Sequence, residues 1–229
     1  MIGMGAWLDT LRFRRELATS LGVRRQRVGG FVAGAHGEGL VPLWSTVRVR
    51  GLDPDERRRA TDALRTPSGP SPRTLDAFPA EIVAAQQTLA RVGADDMAAA
   101  FEAVDAWPPD LRVVARPWLT HQSGAKTAAG TAAATVDLVE VVLDGRDIVV
   151  AGQVALEGET ALEGRPVHGV LGVPVVLGPE GWTHVLLDPL APDEERLLAA
   201  SARAIDAMVA GTLVPPGHAP DVSSPAVQR

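Results

Sequence analysis

The stretch Leu8-Asp9-Thr10-Leu11-Arg12-Phe13-Arg14, followed 24 residues after Arg12 by His36 inside Gly34-Ala35-His36-Gly37, decides how this chain is read. Apolar Leu8, Leu11, Leu17 and Leu21, with Phe13 and Ala18, recur at helical spacing and predict a helix from Leu8 to Leu21. Gly22, free to adopt positive φ, stops it. On that helix Asp9 and Arg12 stand at i,i+3 and share a face. A neutral His takes or gives a proton near pH 7. An Asp against one imidazole nitrogen fixes the tautomer and favours the imidazolium. An Arg offers a two-pronged clamp for a carboxylate. Each residue also has a plainer reading, Asp9 and Arg12 as a surface ion pair and His36 as a structural histidine.

Working outward, Val28–Gly34 reads as a short strand ending in a Gly-rich turn, and Thr46–Arg50 as a strand with its Arg side chains outward. Asp53-Pro54-Asp55-Glu56 is a helix-start signal. The run from Thr66 to Pro72 is a loop that cannot continue a helix. Helical patterns follow near Ala80–Val92 and Asp95–Val104, and Pro108-Pro109 breaks the chain before Leu111–Leu119. Residues 53–121 thus read as an enlarged helical region packed on the core. An Ala-rich helix runs from after Ser123-Gly124 to about Leu143. Asp147–Glu157 and Gly172–Leu177 read as strands, with Trp182–Leu187 returning after the turn Gly178-Pro179-Glu180-Gly181. Asp193-Glu194-Glu195 opens a last helix whose apolar side comprises Leu197, Leu198, Ala202, Ile205 and Met208. Residues 1–210 are expected to form one α+β domain, antiparallel strands with packed helices, and 211–229 a flexible tail.

Composition narrows the function classes. With 229 residues, 46% of them hydrophobic, the chain can build a sizeable core, which excludes disorder throughout. Cysteine is absent, which excludes disulfides, thiolate metal sites and a Cys nucleophile, and no metal site is expected. No apolar run reaches the roughly 18 residues of a membrane helix, and Met1–Gly5 lacks the features of a signal peptide. A soluble, cytoplasmic protein without membrane partners is expected. The net charge is −6, yet residues 1–59 hold 11 Arg against 6 acids, net +5. That bias suits an anionic small molecule or a solvated face. Aromatics at 4%, with no Tyr, argue against nucleic acid.

Met1–Arg14, read with Val28–Glu38 and Val41-Pro42-Leu43-Trp44-Ser45, resembles the substrate-helix and histidine segments of the lactate and malate dehydrogenases. Leu156-Glu157-Gly158-Glu159, Gly172–Gly178 and Gly181-Trp182 are similar to the last hairpin of that family. The resemblance is strong over residues 1–50 and moderate over 123–208. It implies the fold of the family's C-terminal, substrate-binding domain. It also implies that Asp9 orients the histidine, that Arg12 binds the substrate carboxylate and that His36 transfers the proton. Counting back from Val139-Glu140-Val141-Val142-Leu143 makes Thr127 the substrate-pocket threonine. Counting forward from Ser123-Gly124-Ala125 gives Lys126 instead, a cation suited to a dicarboxylate or a solvated helix-start residue.

The sequence also departs from the family. The Gly-rich Rossmann segment that holds the dinucleotide phosphates is not found in these 229 residues, nor is the mobile loop with its carbonyl-polarising arginine. Ala35 replaces the usual acid before the histidine, and Glu38 the usual Asp. The resemblance implies the C-terminal domain of an NAD-dependent malate or lactate dehydrogenase, an oxidoreductase of carboxylic acid metabolism. Such a chain is expected to act on a small 2-hydroxy or 2-oxo acid, to form a homo-oligomer and to need a separate nucleotide-binding domain, upstream or on another chain, for activity. The alternative is a non-catalytic carboxylate-binding or protein-interaction module derived from that family.

Overall fold

Helix α1 (Gly5–Leu21) carries the deciding motif, beginning three residues before Leu8 and ending at the expected stop. Gly22 sits at φ 63°, and the N–H groups of Gly22 and Val23 close the last turn onto Thr19 and Ala18. The computed structural model describes residues 1–66, 73–187 and 189–213. Strand β1 (Val28–Gly34) pairs antiparallel with β2 (Leu40–Val49), with Val28 opposite Val49 and Gly34 opposite Leu40. β2 starts six residues before the expected Thr46. Its first five residues, Leu40 to Trp44, are all buried, so they show no alternation to mark a strand. From Thr46 on, the arginines do face outward, with Arg48 and Arg50 exposed.

The expected helical region is built from α2 (Pro54–Arg65), α3 (Phe78–Asp95), α4 (Met97–Asp105) and α5 (Pro109–Gln122). Asp53 and Glu56 form a reciprocal capping box at the start of α2. Asp96 separates α3 from α4 by accepting from the N–H groups of Ala98 and Ala99, which sets the break one residue beyond Asp95. The loop expected at 66–72 lies outside the described residues from 67 onward. Helix α6 (Ala128–Leu143) leads to a sheet of β3 (Ile148–Leu162), β4 (Arg165–Gly178) and β5 (Gly181–Val185), in that order and antiparallel throughout.

β3 and β4 are longer than expected, because they form one long hairpin turning at Glu163-Gly164. Both turn residues have positive φ, 50° and 73°, as a two-residue hairpin loop demands. The outer arm is mostly exposed and bulged between Glu157 and Ala161, so no clean alternation announces it. Helix α7 (Pro192–Leu213) buries Leu198 fully, but Met208 is 71% exposed. Met208 is therefore not on the buried side, since the last turns of α7 run past the edge of the core. α7 enters the expected tail by three residues, to Leu213. The remainder of that tail, 214–229, lies outside the described residues.

Two apolar clusters sandwich α1. One joins Ala6 and Leu8 to Val150, Leu171, Val173 and Leu198, and the other joins Phe13 and Leu17 to Trp44, Phe78 and Val114. The rings of Phe13 and Trp44 meet edge to face, centroids 5.3 Å apart. Separate antiparallel sheets with helices packed on them make this an α+β fold. Burying α1 on both sides fixes the one face that carries Asp9 and Arg12.

Candidate active site

Asp9 is wholly buried on α1. Its two carboxylate oxygens divide between two partners: Oδ1 accepts from Arg12 Nη1 at 3.1 Å, and Oδ2 lies 2.8 Å from His36 Nδ1. Oδ2 also accepts the Gly37 N–H at 3.2 Å. A buried carboxylate needs such partners to remain charged. The plainer reading of Asp9 and Arg12 as a surface pair fails on this burial, and His36, half exposed, is not packed away in the core. Hydrogen bonding to Asp9 raises the His36 pKa above its ordinary value against the opposing effects of partial burial and Arg12.

The loop that carries His36 is fastened from three sides. Ser201 of α7 accepts the Ala35 N–H at 3.0 Å and donates to the Gly39 carbonyl at 2.9 Å. Gly34, at φ 80°, lies so close to β4 that a Cβ on Gly172 would stand 2.3 Å from its carbonyl oxygen. Gly5 faces the imidazole, where a Cβ would stand 2.8 Å from His36 Cβ and Cγ. Further back, Glu194 of α7 accepts from the N–H and hydroxyl of Ser45 at 2.9 and 2.6 Å. The acids that open α7 therefore do more than complement its dipole, since Glu194 and Asp193 are buried and tie β2, Arg65 and Leu75 to this helix.

Arg12 lines an open cavity of about 310 Å³ between α1, α5 and the start of α6. Thr127 and Lys126, the two alternatives for the pocket position, both line it. Thr127 is the N-cap of α6 and makes no side-chain capping bond, which leaves its hydroxyl free of that task. His36 stands on the far side of Asp9 and does not line this cavity. Arg15, Arg25 and Arg116 do line it, and none of them was singled out from the sequence. The Arg-rich composition of residues 1–59 was the available signal for the first two; nothing local marks Arg116, which arrives from α5.

Arg14, two residues beyond Arg12, points elsewhere. Its guanidinium stacks on Trp7 and Phe31 and donates to the Gly30 carbonyl at 2.8 Å, and burial lowers its pKa to about 10. Among the described residues no three His, Asp or Glu side chains gather where they could hold a metal ion, and no helix is long and apolar enough to cross a membrane.

A buried Asp joined to both an Arg and a half-exposed His, beside a cationic cavity on an α+β scaffold, is an arrangement chemically able to hold a carboxylate and move a proton. The chain is 29% identical over 211 residues to the malate dehydrogenase of Halobacterium salinarum, a match covering 90% of this chain and 52% of the relative. It is 23% identical over 210 residues to L-lactate dehydrogenase 2 of Listeria monocytogenes, covering 92% and 54%. No family model matches. Among solved structures, Cryptosporidium parvum malate dehydrogenase superposes with a TM-score of 0.63 at 21% identity, over 92% of this chain and 54% of that one. The lactate dehydrogenase of the same organism, solved with lactic acid and nicotinamide adenine dinucleotide, gives 0.62 at 23% identity over 94% and 55%. The chain is similar to the lactate and malate dehydrogenases and has their fold, and it spans about half the length of the relatives it matches, consistent with their C-terminal domain.

Proposed function

We propose that these residues form the substrate-binding and proton-transferring part of a malate or lactate dehydrogenase acting in the cytoplasm on a small 2-hydroxy or 2-oxo acid. The observation that carries the reading is the division of the buried Asp9 carboxylate between Arg12 and His36. With Nδ1 held by Asp9, Nε2 is the imidazole nitrogen left for the substrate. His36 stands outside the cavity that Arg12 lines, so the substrate must span both: in the oxidising direction Nε2 takes the proton of its 2-hydroxyl, and Asp9 stabilises the resulting imidazolium. Arg12 keeps guanidinium donors beyond the one given to Asp9, and these clamp the substrate carboxylate. The Thr127 hydroxyl is a further donor lining the same cavity.

The relatives imply NAD, and the residues described here do not fit it. A dinucleotide's phosphates sit on a Gly-rich turn between a parallel strand and a helix. Every strand pairing among the described residues is antiparallel. Hydride transfer is therefore assigned to a nucleotide-binding domain beyond these residues, and the roles derived for this chain are binding and proton movement alone.

Titrating the 229-residue chain with oxamate while following amide NMR shifts tests the reading. Shifts are expected around Arg12 and Thr127, with a dissociation constant on the order of 1 mM, about 4 kcal/mol. They should vanish in Arg12→Ala. Equal shifts in that variant would overturn the proposal.

A further inference from the structure

The cavity beside Asp9 is more strongly cationic than one carboxylate requires. Arg12, Arg15, Arg25, Arg116 and Lys126 line it, and no acid does among the described residues. The carboxylates behind its wall are already shared. Asp9 takes Arg12, while Glu16 serves Arg15, Arg116 and the buried Arg112 together. Arg116 also pairs with Asp105. Six cations thus stand against three carboxylates, a surplus of three positive charges. Arg25 and Lys126 make no ion pair among the described residues and hold most of that surplus. The N-terminus of α6 adds its partial positive charge where Ala129 and Gly130 meet the cavity.

Arg15, Arg25 and Lys126 are exposed, so water and salt screen their mutual repulsion, but their summed positive field still favours an anion in the open cavity at low ionic strength. A 2-hydroxy monocarboxylate brings one negative charge and engages Arg12 alone. Two positive charges then remain, centred on Arg25 and Lys126. A phosphate ester carries about −1.5 to −2 charges at neutral pH and offers the oxygen geometry that guanidinium forks match. The cavity's 310 Å³ falls within the range of small-molecule sites, enough for an acid of several carbons with a second polar head.

We infer that this cavity has a second anion subsite, formed by Arg25 and Lys126 with Arg15 and Arg116, and that it selects a 2-hydroxy or 2-oxo acid whose far end bears a phosphate in preference to a second carboxylate. The inference rests on the reading of Arg12 as the carboxylate clamp. Thr127 and Lys126 then have separate tasks, Thr127 beside the first anionic group and Lys126 on the second.

The test compares L-lactate, L-malate and 3-phosphoglycerate binding to the full chain by NMR titration at fixed, low ionic strength. The expected order is 3-phosphoglycerate tightest, then malate, then lactate, with about tenfold or more between the first and last. Arg25→Gln and Lys126→Gln should each lower 3-phosphoglycerate affinity severalfold, and the double variant should bring it to that of lactate. Equal affinities for the three acids, or Gln variants that leave the order intact, would overturn the second subsite. Malate binding as tightly as 3-phosphoglycerate would overturn the choice of phosphate. Arg12→Ala separates this inference from the proposed function. Loss of all three ligands there with equal wild-type affinities sinks the subsite alone, and retention of all three sinks the carboxylate clamp itself.

Discussion

Asp9 Oδ2 lies 2.8 Å from His36 Nδ1, joining a buried residue of the first helix to a half-exposed histidine 27 positions later. The bond favours the imidazolium, so the His36 pKa in the folded chain stands above its unfolded value, near 6.5. The stability this contributes is complete below about pH 6.5 and is lost as pH rises through the folded value. Denaturation of wild type and His36→Gln in urea across pH 5 to 9 is expected to show the variant's deficit shrinking as pH rises. Asp9→Asn should lower the His36 pKa, read from its imidazole proton shifts. An unchanged pKa in Asp9→Asn would remove Asp9 as its cause.

No oxidation of NADH with pyruvate or oxaloacetate is expected from the purified 229-residue chain. The described sheets offer no parallel strand–turn–helix cradle for a dinucleotide, whereas Asp9, Arg12 and His36 are assembled without one. Turnover by a preparation free of contaminating dehydrogenase, abolished by His36→Gln, would contradict this.

Glu16 is 3% exposed and serves three arginines, of which Arg112 is itself buried and has its pKa lowered chiefly by desolvation. Removing that carboxylate leaves buried Arg112 without its ion-pair partner and only neutral acceptors, the Asp105 and Glu16 carbonyls and the Ser20 hydroxyl, a change that costs up to roughly 3–5 kcal/mol. Glu16→Gln is therefore expected to lower stability by that order, measured as a urea midpoint shift at unchanged slope. Exchanging both members, Glu16→Leu with Arg112→Met, should recover much of the loss, because an apolar pair needs no charge compensation. A double variant as unstable as Glu16→Gln would count against desolvation as the source of the cost.

How far the site was legible in the sequence follows from how each contact is made. Asp9 and Arg12 meet because i,i+3 on a helix is a fixed geometry, and the paired carboxylate was readable from spacing alone. His36 could be placed beside them only through the family likeness, since nothing local specifies a contact across 27 residues. Ser201 and Glu194, which hold the His36 loop and β2 from the last helix, carry no local mark of that task. The sequence pattern of the β3–β4 hairpin stops at Glu157 and resumes only at Gly172, because the outer arm between them is mostly exposed, with Leu162 and Val167 buried within it, and lacks the alternation that burial imposes. Arg25 and Arg116 reach one cavity from different elements, which only the tertiary fold decides.

Gly5 supplies the sharpest separation between folding and site geometry. It occupies the first position of α1, where Ala would ordinarily favour the helix, by up to about 1 kcal/mol in a helix interior. A Cβ there would stand 2.8 Å from both Cβ and Cγ of His36, the rigid base of that side chain, so the histidine must move. The same Cβ would lie 3.2 Å from Gln153 Nε2, whose amide oxygen accepts the Ala6 N–H at the start of the helix. Gly5→Ala is thus expected to displace the imidazole from Asp9 while the helix persists. The observable is a fall in the His36 pKa toward its ordinary value, with far-ultraviolet circular dichroism unchanged. Arg12 lies on the other oxygen of Asp9, so oxamate binding through Arg12 should survive. A Gly5→Ala chain with an unshifted His36 pKa would show that the loop can yield without breaking the Asp9–His36 bond.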